Sequence, residues 1–501
     1  MHQLDIDGLT VLWVDAPGPF TASLLLAVGR RDETVLSGGI THLVEHLALS
    51  PMGRRPFETN GQVELAITSF TATGRRDDVL DHVRRVAENL AALPVDRLAV
   101  EVGVLRSEGG SVVPPHVCSV LGHRFGAQGP GLAGFSEPAL ETLDAAQVQA
   151  WARRYAVREN AVLWLSGPPP AGFDLALPHG TRHVRGPVER VAAPYPAVSD
   201  CGEAGATVSV EGDESEALLA GLRIAYARAF DDLRLARGIV YSPDLAFAWL
   251  EGERLLALLH ADARPGRTAE AAAALVGIVR ALASAGPTQA ELDVDVSGIR
   301  TAMADERFAL GELDAAARDL VLGVEPKPAA GRLAELERLT PSDVRDAVDA
   351  VLGSLLLVVP EGTDLTGTGL PVDDGRRGAD VAGRAHARRF RSGAPKGSRL
   401  VVGDEGVTLV LPGDVRTVRF ADVVAADVST EGLVVLLAAD GTTVPLQRSD
   451  WRLGAATFAR VLAAVPAEAR FTAVDVDDLV PGGGAGGAGA RAGERVAVGA
   501  R

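Results

Sequence analysis

Two hydrophobic rhythms alternate along the chain. LTVLWVDA (9–16) and ASLLLAVG (22–29) are short apolar runs bounded by turn residues, and AITSFTATG (66–74) alternates with period two; all three predict strands. GGITHLVEHLAL (38–49) instead places its apolar residues at helical spacing after a Gly-Gly turn. DDVLDHVRRVAENLAAL (77–93) carries Val79, Leu80, Val83, Val86 and Leu90 on one stripe of an amphipathic helix. VDRLAVEVGVLRSEGG (95–110) and DAAQVQAWARRYA (144–156) read as further helices, and NAVLWLSG (160–167) as the strand that follows.

A similar order returns downstream. ATVSVEG (206–212), ALLAGLRIA (217–225), VYSPDLAFAWL (240–250) and RLLALLHADA (254–263) read as strands, with a helix around ARAFDDLRLARG (227–238). AEAAAALVGIVRALASAG (269–286) is helical, and Thr288 with Glu291 has the spacing of a capping box at the start of the next helix. SDVRDAVDAVLG (342–353) then precedes the strand SLLLVVPEG (354–362). The repetition predicts an internal duplication. After residue 399 the pattern changes to alternating strands with hairpin signals, Asp440-Gly441 among them, closed by one helix in RLGAATFARVLAAV (452–465).

The fold class that follows is α+β: two tandem α/β half-domains and a small β-barrel-like domain with a C-terminal helix. The expected boundaries are 1–170, 205–362, a linker at 363–398, a β domain at 399–480 and a Gly-rich tail at 481–501 expected to be disordered. A length of 501 residues agrees with more than one core. The net charge of −17 argues against a nucleic-acid partner. Two cysteines, Cys118 and Cys201, cannot build a disulfide framework, and no run approaches the ~20 apolar residues of a membrane span. With no signal peptide recognisable at the N-terminus, the chain reads as cytoplasmic.

The candidate chemistry is concentrated in HLVEH. His42 and His46, four residues apart on a helix, share one face, as two imidazoles must to hold one ion. Glu45 borders that face and is placed to take a proton from water at the metal. This is the inverted zincin motif H-x-x-E-H. A catalytic zinc needs a third protein ligand and an open position. Glu101 and Glu108, two turns apart on one helix, are candidates: one to bind the metal and one to support it from behind. His116, Cys118 and His123 fit no strong metal template, and His82 and His260 read as structural.

Over residues 8–365 the sequence resembles the M16 peptidase family of insulinase, pitrilysin and the mitochondrial processing peptidases. VGRRDETVLSGGITHLVEHLAL, the E-x6-E pair and ETLDAAQVQAWARRYAVRENAVLWLSG carry that resemblance in the first half. It implies zinc held by His42, His46 and Glu108, with Glu45 as the base and Glu101 as a supporting carboxylate. In the second half LRLARGIVYS gives Arg234 and Tyr241 seven residues apart, the family's pair for the substrate backbone and oxyanion. A chain with two half-domains resembles the shorter members, which build a closed chamber from two subunits. The implied partners are a peptide substrate and a second subunit, in a homodimer or a heterodimer with another M16-like chain. The implied activity is zinc-dependent endopeptidase action; the rival expectation is a non-catalytic M16-like scaffold. The C-terminal segment resembles pleckstrin-homology domains in architecture only.

The sequence also departs from the family. Only 61 residues lie between His46 and Glu108, a shorter interval than usual, with the shortening near SPMGRRPFETNGQVE. The family's Asn-Ala on the strand that pairs with substrate is not evident, and Glu64 lies near its expected place.

Overall fold

The computed structural model describes residues 1–108, 113–199, 202, 205–250, 252–373, 380–428 and 433–471. Cys201 and the tail from 481 lie outside them.

The first half begins with β1 (His2–Ile6), β2 (Leu9–Trp13) and β3 (Phe20–Leu26), followed by α1 (Ile40–Leu49), β4 (Glu58–Val63), β5 (Thr68–Gly74) and α2 (Arg76–Ala91). The helices α3 (Leu98–Glu108), α4 (Pro115–Phe125) and α5 (Ala145–Tyr155) lead to β6 (Ala161–Leu165). Its sheet has the order β1-β2-β6-β3-β5-β4, so β4 is an edge strand. β2 and β6 are parallel, and the β6–β3, β3–β5 and β5–β4 pairs are antiparallel.

The second half contains β7 (Ala197–Ser199), β8 (Ala206–Asp213), α6 (Glu216–Ala229), a π-helical turn at Phe230–Ala236, β9 (Val240–Trp249) and β10 (Arg254–Ala263). Then come α7 (Thr268–Ala285), α8 (Gln289–Met303), α9 (Phe308–Leu322), α10 (Ala329–Leu336), α11 (Pro341–Leu352) and β11 (Leu356–Val358). Its sheet order is β7-β11-β8-β10-β9, with β7 and β11 parallel and the other pairs antiparallel. Strand for strand this repeats β2-β6-β3-β5-β4. The expected duplication is therefore visible as topology, and β9 occupies the place of β4.

Period-two alternation explains how the sheets are covered. On β3, Ala22, Leu24 and Leu26 enter the core made with α1, α2 and α5, while Leu25 faces the other way. That other face is covered by Leu313, Ala316, Ala317 and Val321 of α9, a helix of the second half. On β10, Leu255, Ala257 and Leu259 face the core of the second half, and Leu256 and Leu258 meet Val117, Val120, Leu121 and Phe125 of α4, a helix of the first. Each half thus lends one helix to the other.

Several expectations need correction. ALLAGLRIA is not a strand but the body of α6: Ser215 caps it by accepting from the Leu218 N–H, and its Ala and Leu residues favour helix. α7 is long and apolar enough by length and composition to cross a membrane, contrary to the expectation that no segment is. Its Leu275, Val276, Val279 and Leu282 are buried in the second core instead. The expected linker at 363–398 contains structure. Val372 bridges Val198, and β12 (Gly383–Ala387) pairs with β13 (Arg399–Gly403).

The last unit continues with β14 (Gly406–Leu411), β15 (Asp414–Arg419), β16 (Val423–Val428), β17 (Leu433–Ala438), β18 (Thr443–Gln447), α12 (Ala455–Ala464) and β19 (Arg470–Phe471). Its described strands form two four-stranded sheets, β12-β13-β14-β15 and β18-β17-β16-β19, rather than one closed barrel. Leu400, Val407, Leu409 and Val418 of one sheet meet Val434, Leu436, Val444 and Leu446 of the other, with Val461 of α12 in the same core. The Asp440-Gly441 hairpin is present between β17 and β18, with Gly441 at φ 85°.

This unit docks on the first half. Ala425, Val435 and Leu437 pack with Val35, Ala127, Leu132 and Phe135, and the Ala127 N–H donates to the Ala439 carbonyl at 2.9 Å. Gly126, at φ 66°, lies against the Ala439–Asp440 backbone so closely that a Cβ would run into it.

Candidate metal centre

The candidate metal centre is organised by α1. Gly39 precedes the helix with φ 96°, a conformation open to glycine. Glu33 caps it from a distance, accepting from the Gly39 and Thr41 N–H groups at 2.9 Å each. Burial pushes the Glu33 carboxyl up to about 7, against the opposing pull of Arg30 and those two N–H groups. Ile40, Leu43, Val44 and Leu47 anchor the buried face of α1. Each large side chain there contributes about 1.5–3 kcal/mol by leaving water. The opposite face presents His42 and His46 to a cleft of about 460 Å³, whose lining includes Glu45, Glu108, Asn60 and Gly61.

The ring nitrogens divide their work. His42 Nε2 lies 3.7 Å from Glu108 Oε2, and His46 Nε2 lies 3.6 Å from the same oxygen. Ligands about 2.0–2.1 Å from a tetrahedral ion stand roughly 3.4 Å apart, close to these two separations, and the three residues offer ligand atoms all within 4.8 Å of one another, a set that could hold one ion. Glu45 Oε2 is 3.8 Å from both Nε2 atoms and stands beside that position. His42, His46 and Glu108 are the group among the described residues with metal-binding spacing.

The Nδ1 atoms face inward. His46 Nδ1 meets Glu101 Oε2 at 3.4 Å, and Arg97 donates to the other oxygen of Glu101 at 3.0 Å. Glu101 is buried whereas the Glu108 carboxylate reaches the cleft, which separates the two glutamates by role. His42 Nδ1 donates to Glu137 Oε1 at 2.9 Å. Glu137 is fully enclosed, holds φ 50°, and lies 3.4 Å from the buried Arg30, which also donates to the Phe135 carbonyl. Burial would raise the Glu137 carboxyl, but the His42 hydrogen bond and the Arg30 charge prevail and lower it. At His42 burial likewise opposes the charged form, and Glu137, Glu45 and Glu108 outweigh it. Burial raises the Glu45 carboxyl, with the two imidazoles pulling the other way.

Sequence reading missed Glu137, which is 95 positions from His42 and has no local spacing to reveal it. It also looked for the edge-strand Asn near Glu64. Glu64 is held instead by Arg318 of α9 through two bonds of 2.8 Å, and Asn60-Gly61 of β4 lines the cleft. Gly61 lies so close to the Glu45 carboxylate that an added Cβ would overlap it. Arg234 and Tyr241 are adjacent, with the guanidinium 5.0 Å over the phenol ring, but neither lines this cleft. Tyr241 is 79% exposed on β9.

No known family's sequence profile matches the chain, and no curated protein matches it by sequence. Solved structures do match. A protease from Helicobacter pylori superposes with a TM-score of 0.58 at 15% identity, over 72% of this chain and 99% of that one. A peptidase M16 inactive domain from Pseudomonas fluorescens gives 0.59 at 17% identity, over 72% and 99%. The fold is that of the M16 peptidases. A third M16-fold structure, a putative M16-like peptidase from Alicyclobacillus acidocaldarius, gives 0.53 at 14% identity, over 72% and 98%. At these identities the likeness concerns the fold, and the chemistry rests on the residues of this chain.

Proposed function

We propose that the chain is a zinc-dependent endopeptidase acting on oligopeptides or short unfolded segments. The observation that carries this reading is the convergence of His42 Nε2, His46 Nε2 and Glu108 Oε2 beside the Glu45 carboxylate. Zinc held by His42, His46 and Glu108 would supply Lewis acidity to a water and to a peptide carbonyl. Glu45, its carboxyl already raised by burial, takes the proton of the attacking water and returns it to the leaving amine. Glu101 and Glu137 hold the two rings in orientation through Nδ1. The edge strand β4 offers backbone groups to an extended peptide.

In this reading Arg234 and Tyr241 serve a site completed between two subunits, in a homodimer or with another M16-like chain, and the assembly works in the cytoplasm. The test is a pair of substitutions. Glu45→Gln is expected to keep about one zinc per chain and lose peptide cleavage, and His42→Ala to lose both, measured by elemental analysis and a peptide-library assay. Full activity in Glu45→Gln would remove the assigned base. Far less than one zinc in the native chain would favour the non-catalytic scaffold.

A further inference from the structure

The C-terminal unit is apolar on two sides. Along β17, Val434 and Leu436 enter that unit's own core, while the alternate residues Val435 and Leu437 point the other way. Left open, this outer face would be a bare apolar patch. Val435 and Leu437 are nevertheless buried, in one cluster with Val35, Leu132 and Phe135 of the first half. Two of those covering residues belong to segments that build the candidate metal centre. Val35 lies in the turn Val35–Ser37 that leads into Gly39 and α1, and so to His42. Phe135 is followed directly by Ser136 and Glu137. The same cluster therefore backs both ends of the hydrogen bond between His42 Nδ1 and Glu137 Oε1.

The two segments are fitted closely. The Ala139 N–H donates to the Gly38 carbonyl at 3.3 Å, and a Cβ added to Gly39 would stand 3.0 Å from the Glu137 Cβ. Arg30 donates to the Phe135 carbonyl at 2.7 Å and lies 3.4 Å from Glu137 Oε1, so a displaced Phe135 would take the Glu137 surroundings with it. Glu137 also holds φ 50°, a conformation that a residue with a side chain keeps only where its surroundings impose it. Packing around Phe135 is part of those surroundings.

We propose that Val435 and Leu437 are positioning residues for the candidate metal centre: clustered with Val35 and Phe135, they brace the two segments whose fit sets the Glu137–His42 hydrogen bond. The C-terminal unit then contributes to the site although none of its described residues lines the cleft. The inference rests on the metal site of the peptidase reading, so the metal-free chain is measured as well. Zinc affinity is followed by chelator competition in the full native chain, in Leu437→Ala, in Glu137→Ala and in the double variant. Leu437→Ala is expected to weaken zinc binding about five- to tenfold, less than direct loss of a carboxylate behind a ligand. Leu437→Met, which nearly keeps the volume, restores affinity to within about twofold of native. In the Glu137→Ala background, Leu437→Ala changes affinity by less than about twofold, because the bond it supports is already gone. An equal loss in both backgrounds, or no loss in either, overturns the proposal. Val435→Ala stands in if Leu437→Ala does not fold, as judged by thermal unfolding. In the metal-free chain, hydrogen exchange at the Thr41 and Ala139 N–H groups is expected to quicken at least about fivefold in Leu437→Ala. Unchanged exchange there, or equal quickening throughout α2, also overturns it. A native chain that binds no zinc yet shows the local quickening upholds the brace and removes the metal reading.

Discussion

At the scale of single residues the site is defined by what stands behind each ligand. His42 is oriented by Glu137, which is itself fixed by Arg30 and held at φ 50°. Glu137→Ala is expected to weaken zinc binding about 10–100-fold, measured by competition with a chromogenic chelator. An unchanged affinity would show that His42 needs no support from that side. Gly61 acts on Glu45 by its lack of a side chain. Gly61→Ala should displace the carboxylate and lower kcat at least about tenfold while zinc content stays near that of the native chain. Retained kcat would mean that β4 can yield. The motif His42–Glu45–His46 was legible because its geometry is set within one helical turn. Glu137 and Asn60 were not, because a loop brings Glu137 behind His42 and strand pairing brings Asn60 to the cleft, and neither leaves a periodic trace.

At the scale of elements, α1 depends on a cap that its own sequence does not contain. Glu33 accepts from Gly39 and Thr41 while buried, and its carboxyl sits near 7, above its ordinary 4.5. Between those values the folded chain binds more protons at this group than the unfolded chain, so this contribution is present at low pH and lost as pH rises through 7. Between pH 5 and 7.5, Glu33→Gln should therefore gain stability relative to the native chain as pH increases, measured by urea unfolding at each pH. A constant difference would mean that Glu33 is charged throughout. Elements with strong local signals, such as α2 and the capped α8, matched their sequence patterns. α6 was misread because a short, mostly apolar run fits a buried strand as well as a buried helix, and β12 was overlooked because Gly-Arg-Ala-His-Ala becomes a strand only through its pairing with β13.

At the scale of the whole molecule, the repeated sheet order was predictable as a duplication, but the exchange of helices between halves was not. Contact between α9 and β3 links positions hundreds of residues apart, and composition carries no record of it. The C-terminal unit is joined to the first half through Phe135, whose carbonyl also receives Arg30. Gly126→Ala, which places a methyl group against the Ala439–Asp440 backbone and strains a φ of 66°, should loosen this joint. The expected result is faster release of a C-terminal fragment in limited proteolysis, with a lower Tm. Unaltered cleavage kinetics would show that the apolar contacts alone suffice. The exchange of α4 and α9 also has a bearing on how the protein is made. As the polypeptide leaves the ribosome, Leu12, Leu25, Val162 and Trp164 have no cover until α9 has been synthesised, some 150 residues after β6, at roughly 5–20 residues per second. The nascent first half must wait with a greasy flank bare for many seconds, and that interval is when a chaperone would find it.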